Sequence, residues 1–465
     1  MSTSNTTANN GSTNGLNAEQ LRNSLATIAA ANGIRRWDLG AACSTDISVQ
    51  VDRGEPKQMQ GAQRSSITVR VWNDAGLVGV TSTSDLSDTG LERALTGAKE
   101  ASAFGNPDDI PAFSPLATAP LATLDQPIHQ PQGILRLLDT LKGAEQELLA
   151  RHDAIATVPY NGLAERSSER IYLNSDGACR QQQLSTASLY LYARAEEAGR
   201  KPRSAGAVRL AYGAGDLDVA GCIHEAAERT ISHLNYAPIE TGRYTCVFSP
   251  EAFLDLIGAF SGLFNARAVL DGVSLSNRDS IGETLAVPFL DIHDNGLHPG
   301  NIGASAFDGE GTPTKRLALL EGGVLRNFLH SEATARAFGV SPTGHAGMGA
   351  KVSVGPDWFE IGTTPGSDGG QAGLDRFKAG EAIVWIDSLS ALHAGVKASQ
   401  GSFSLPFDGW LIQNGEPRSI EAATVAGDIR QVLKGIVGFE GEAKVTPDGL
   451  CPMVWVEGLS ITGEA

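Results

Sequence analysis

The spacing of apolar residues changes along the chain, and each change marks an element. Residues 18–32 place apolar side chains at helical intervals and stop at Gly33, which predicts an amphipathic helix. From Trp37 the period falls to two. Ile47, Val49 and Val51 alternate with polar residues, as do Ile67, Val69 and Val71, and Asn73-Asp74-Ala75-Gly76 turns the chain back into 77–81. This is the pattern of an antiparallel meander. A helix is expected over 91–104 with Asp88 or Thr89 as its cap, and another over 134–151. Between them, 106–132 is rich in Pro and Ala and reads as a linker with little packing of its own.

Strands are next expected around 170–173, 185–193 and 205–211, with Asn174-Ser175-Asp176-Gly177 as a hairpin turn, and then a helix over 217–235. Pro238–Gly242 punctuates a boundary. Residues 243–248 have a buried-strand pattern, and Ser249-Pro250-Glu251 is a helix start, a hydroxyl cap followed by Pro at the first helical position. Beyond Asp271 the chain is rich in Gly and strands, with a hairpin over 317–329 turning at 321–323 and further strands near 382–389, 409–412 and 454–461. The fold class is α+β, with mixed or antiparallel sheets, flanking helices and a large strand-rich C-terminal part. The expected organisation is a polar tail over 1–16, an N-terminal α+β domain over 17–115, a middle α+β domain over 116–240 and a C-terminal domain over 241–465.

Composition narrows the classes. The 465 residues carry 36 basic and 53 acidic side chains, a net charge of −17, which opposes binding to phosphate backbones or an anionic leaflet. With 41% hydrophobic and 19% charged residues the chain can bury a large core. Five dispersed cysteines form no CxxC pair, no apolar run reaches the length of a membrane span, and the N-terminus lacks the features of a secretory signal. A cytoplasmic protein is expected.

No P-loop, GxGxxG, GxSxG or SxxK motif is present, so the 54 glycines read as turns and bulges. His224-Glu225 resembles half of a zinc motif, but His233 follows nine residues later, about 900° around a helix and so on the opposite face. Both histidines are expected on a solvated polar face. Asp291, His293, Asp294 and His298, with Asp308 and Glu310 beyond, hold donors for a divalent ion. Asn295-Gly296 and Pro299-Gly300 mark that stretch as a loop, where polar residues are expected anyway. His345, set among glycines in SPTGHAGMGA, and Cys451 have no sequence-local partner.

Several segments resemble the TldD/PmbA family over roughly residues 37–463: ITVRVWNDAGLVGVTSTSDL (67–86), ASAFDGEGTPTKRLALLEGGVLRNFL (304–329), and SPTGHAGMG (341–349), which is similar to the block of the PmbA/TldE branch. GSFSLPFDGWLIQNGEPR, ATVAGDIRQVLKGIV and the final Cys451 resemble C-terminal blocks of that branch. The resemblance implies a two-subunit peptidase system once described as a modulator of DNA gyrase. In it the TldD subunit carries HExxxH on the helix after the strand that opens the third domain, and a distant Cys completes its metal site. The corresponding helix here, 250–264, has no His, and its acids are Glu251 and Asp255. The resemblance therefore implies a PmbA/TldE-like subunit with no catalytic or metal-ligating residue of its own. Its partner would be a TldD-like metalloprotease subunit holding the zinc, and its substrates unfolded peptides. Asp308, Glu310, Gly311, Thr343, Gly344 and His345 are the candidates for contact with substrate or partner. The competing readings are a stand-alone metallopeptidase using His293 and His298 with Asp308 and Glu310, and a regulatory binding protein of the gyrase-modulator kind.

Overall fold

The period-two segments form strands much longer than their apolar stretches. In the computed structural model, which describes residues 17–107, 110–349, 351–371, 374 and 382–463, six of them make one sheet. They are β1 (Arg36–Asp52), β2 (Glu55–Trp72), β3 (Val78–Thr83), β4 (Ile155–Asn174), β5 (Cys179–Ala195) and β6 (Arg203–Ala211), in the order β3-β2-β1-β4-β5-β6. The expected tail over 1–16 lies outside the described residues.

The chain divides into two compact units, one built from residues up to Thr45, Gln63–Ile110 and Ser168–Gln183, the other from Asp46–Ala62, Pro111–Ser167 and Leu184 onward. In the first, helices α1 (Ala18–Ala31) and α2 (Asp88–Ala101) bury Leu25 and Leu95 with Leu39, Ile67, Val69 and Leu173. The α2 cap is Ser87, whose hydroxyl accepts from the Gly90 amide at 3.2 Å, rather than Asp88 or Thr89.

In the second unit, α3 (Ile134–Leu149) and α4 (Val219–Ser232) share a core with Val49, Val158, Leu163, Leu189 and Leu191. The segment 106–132 is not the loosely packed linker that its Pro and Ala content suggests. Ser114 and Ala117 are buried. Ala112 N donates to Glu332 at 3.0 Å, Gln126 Nε2 to Ala304 O at 2.9 Å and His129 N to Ser185 Oγ at 2.9 Å. An irregular backbone needs external partners for its amides, and those of Ala112 and His129 find them in distant side chains.

The remainder of the second unit is a 13-stranded mixed sheet. Its strands are β7 (Tyr236–Ala237), β8 (Gly242–Phe248), β9 (Leu290–Asp294), β10 (Leu317–Glu321), β11 (Val324–Leu325), β14 (Phe359–Thr363), β15 (Ile383–Leu389), β16 (Val396–Lys397), β17 (Ser402–Gln413), β18 (Glu416–Ile420), β19 (Ala423–Asp428), β20 (Ile436–Thr446) and β21 (Gly449–Gly463). The two-stranded ribbon β12 (Ala346–Gly347) and β13 (Ser353–Val354) is separate. β8 pairs in parallel with β15 and β14 with β21, whereas most other pairs are antiparallel. Helix α5 (Pro250–Ala259), capped by Ser249 as its sequence predicts, packs Phe253, Leu256 and Ile257 into a core with Phe248, Ile292, Ile361, Val384 and Val454. The short helices α6 (Ala266–Leu270) and α7 (Glu332–Phe338) follow. Among the described residues no helix is long and apolar enough to cross a membrane.

Candidate functional site

Strand β9 settles the arrangement of the acidic cluster. Residues 290–294 are a strand, not a loop, so their side chains alternate between faces. Leu290, Ile292 and Asp294 face the core, while Asp291 and His293 face the other way beside Glu360, the cross-strand partner of His293. Asp291 accepts from Gly322 N at 2.8 Å and from the Thr364 hydroxyl at 2.7 Å. His293 has its pKa lowered by burial and then by Arg316, against the opposing pull of Glu360 and Asp291. His298 stacks on Trp358 with ring centroids 4.5 Å apart. The postulated set of His293, His298, Asp308 and Glu310 is therefore not the grouping that forms. Among the described residues, the group of potential metal ligands is instead Asp294, His345 and Asp357, with ligand atoms within 4.8 Å of one another.

The six sequence candidates do come together, and they are buried within this chain. One Asp308 oxygen accepts from the amides of Glu310 at 2.8 Å and Thr312 at 2.9 Å, and the other from Ala346 N at 3.0 Å, which ties the loop 308–312 to 343–347. Burial raises the Asp308 pKa even though those amides and His345 oppose it. Glu310 is fully buried and accepts from Glu332 N at 2.8 Å, at the start of α7. Gly309 and Gly344 permit the close approach: a Cβ on Gly309 would lie 2.2 Å from Met348 N, and one on Gly344, where φ is +87°, 2.6 Å from Pro313 O. Gly311 also has positive φ, at 75°. Thr312 Oγ1 hydrogen-bonds Ser114 at 2.8 Å.

His345 occupies the centre. Its Nδ1 lies 2.8 Å from Thr343 Oγ1, and its Nε2 lies 3.2 Å from Asp294 Oδ1, with both side chains of that pair fully buried. Burial is the largest influence on the imidazole and lowers its pKa, but Asp294, Asp357 and Asp308 together raise it overall. Behind it, His330 is held at a pKa of about 4 by burial and then by His345.

The element after the opening strand of the C-terminal part has different chemistry. On α5, Glu251 accepts from Lys444 Nζ at 2.9 Å. Asp255 is pushed up to about 6 by burial, then by Asp448 and Glu251. Cys451 is buried, and burial, then Glu251, raises its thiol well above the usual range. Nearby Asp387 takes Arg229 at 2.5 Å. A zinc site needs imidazoles or thiolates. This helix has no histidine, one of its two carboxylates is committed to a lysine, and the neighbouring thiol is held protonated, so the donor set does not suit zinc there.

The His224–Glu225 reading holds in part. His224 is exposed, but His233 is buried, its ring stacked on Trp410 at 4.7 Å and its Nδ1 2.8 Å from Ser419 Oγ. Nothing local signals this, because α4 ends at Ser232 and the covering strands lie more than 170 residues further on.

Three family models, described as PmbA/TldA metallopeptidase domain 1, central domain and C-terminal domain, match residues 44–102, 130–234 and 241–463. The chain belongs to the TldD/PmbA family. Among its relatives in this family, Metalloprotease PmbA of Escherichia coli O157:H7 is 22% identical over 438 residues, 92% of each chain, and the Metalloprotease PmbA homolog of Haemophilus influenzae is 23% identical over 83% of each. A solved TldD/PmbA-like structure, a proposed modulator of a DNA gyrase from Thermotoga maritima, has a TM-score of 0.84 at 26% identity, covering 96% of this chain and 100% of its own. TldE from Thermococcus kodakarensis matches in fold with a TM-score of 0.81 at 18% identity, covering 96% and 99%.

Proposed function

We propose that this chain is the non-catalytic PmbA/TldE-like subunit of a heteromeric TldD-type metalloprotease that degrades or processes unfolded peptides, with the zinc carried by a TldD-like partner. The observation that carries this reading is α5 itself, whose carboxylates Glu251 and Asp255 stand on a helix with no histidine. Zinc supplies an acidified water to a peptidase when it is bound. This chain's own residues would instead shape and support the complex. The interlocked loops 308–312 and 343–347 brace the interior of the C-terminal part, and Lys444 neutralises Glu251 at the start of α5. The net charge of −17 counts against direct contact with DNA, though an acidic surface can still meet a basic protein.

The test is a casein or peptide cleavage assay of this chain alone, of a TldD-like subunit alone and of the mixture. Turnover is expected in the mixture and absent from this chain by itself. Peptidase activity of the purified single chain would refute the proposal. A pull-down that captures a topoisomerase subunit and no TldD-like protein would favour the regulatory reading attached to the Thermotoga relative.

A further inference from the structure

The surroundings of His345 accommodate a ring proton on Nδ1. A hydroxyl has one proton to give and two lone pairs to receive with. Thr343 Oγ1 accepts from His330 N at 2.7 Å and donates to His330 O at 3.2 Å, which leaves one lone pair. That lone pair can receive His345 Nδ1–H at 2.8 Å. In that tautomer the neutral ring presents a bare Nε2 on its other side. Asp294 is oriented in a matching way: Oδ2 accepts from the Asp357 amide at 2.8 Å, and Oδ1 is left toward His345.

Nε2 and Oδ1 are 3.2 Å apart, an ion pair when the ring is protonated; with the ring neutral and its proton on Nδ1, both buried atoms are left without a hydrogen-bond partner. Two ligands of a tetrahedral zinc with bonds of 2.0–2.1 Å stand about 3.3 Å apart and point at the metal, not at each other. An oxygen of the exposed Asp357 carboxylate lies within 4.8 Å of both atoms. The outer contacts are those of metal-binding histidines and carboxylates, with the second ring nitrogen and the second oxygen each held by the protein.

We propose that Asp294 Oδ1, His345 Nε2 and Asp357 bind a divalent first-row cation, with zinc the best match to one imidazole and two carboxylates. The site joins the end of β9, the loop 343–347 and the turn before β14. Its role is to clamp these segments together. It shares no residue with α5 and is independent of any partner subunit.

The experiment uses the full-length chain, stripped with a chelator and re-equilibrated with zinc chloride against a chromogenic competitor, with metal content measured after gel filtration and melting temperature read with and without zinc. One equivalent of zinc per chain and a rise in melting temperature are expected. Asp357→Asn should weaken binding at least tenfold, because the exposed side chain can change while its amide still holds Asp294. Cys451→Ser should leave binding unchanged. Less than a tenth of an equivalent in the wild type, or wild-type affinity in D357N, would overturn the site. Zinc that is lost with Cys451→Ser would place the metal at α5, which overturns this site and the proposed function together. Cleavage by the single chain with zinc at the Asp294 site would sink the proposed function alone.

Discussion

Asp308 holds three backbone amides from two loops on one carboxylate. Removing the acceptor leaves three buried N–H groups without it, at about 1–3 kcal/mol for each group not rescued by water. Asp308→Ala is therefore expected to destabilise the chain by roughly 2–4 kcal/mol, read as a lower urea midpoint. Asp308→Asn should cost less, since one oxygen remains for Glu310 and Thr312. Equal midpoints for wild type and D308A would contradict this account. The residue types at 308, 310 and 345 are plain in the sequence, but their role is not. Polar residues among glycines suggest an exposed loop, whereas here the glycines let two loops approach so closely that the polar groups are enclosed. The Asp294–His345–Asp357 grouping was illegible for a related reason. Asp294 stands next to His293 in sequence, and strand alternation turns the two away from each other.

At the scale of elements, the local signals worked where local chemistry decides. Ser249-Pro250 starts α5, and Asn174 and Gly177 close the turn between β4 and β5. They failed at the end of α4, where His233 docks on Trp410 of β17 and Ser419 of β18. Burial, against Asp408 and with Arg203 and Arg229, lowers this imidazole to about 4. The ordinary value in the unfolded chain is about 6.5. The folded state thus disfavours the charged ring. The stabilisation tied to its neutrality is intact above about pH 6.5 and is lost as the pH falls toward 4. Asp255, raised to about 6, acts in the opposite sense, since its protonation in the folded state favours folding as the pH falls below 6. The difference between wild type and His233→Gln isolates the histidine. The wild-type advantage in denaturation midpoint should shrink between pH 6.5 and 4, and an advantage that stays constant with pH would refute the assignment.

For the molecule as a whole, the α+β class was readable because alternation and helical spacing persist over long segments, and the family blocks fall in the first and last of the three matched regions. The segment 106–132 was not readable as packed. Its Pro and Ala side chains carry no periodic signal, and what fixes it is hydrogen bonding from the Ala112 and His129 amides and the Gln126 side chain to distant residues. That fastening limits how modular the protein can be. Glu332 and Thr312, in the C-terminal region, take their partners from Ala112 and Ser114, more than 120 residues before that region opens. A polypeptide starting at residue 241 would present the Glu332 carboxylate, the Thr312 hydroxyl and the surface under Ser114 and Ala117 to solvent. Such a fragment should melt at a lower temperature than the same fragment supplied with a peptide spanning 111–132, and equal melting would show the segment to be dispensable. The homologous regions are thus interdependent, and an exchange of C-terminal regions between relatives should succeed only when residues 111–132 travel with them.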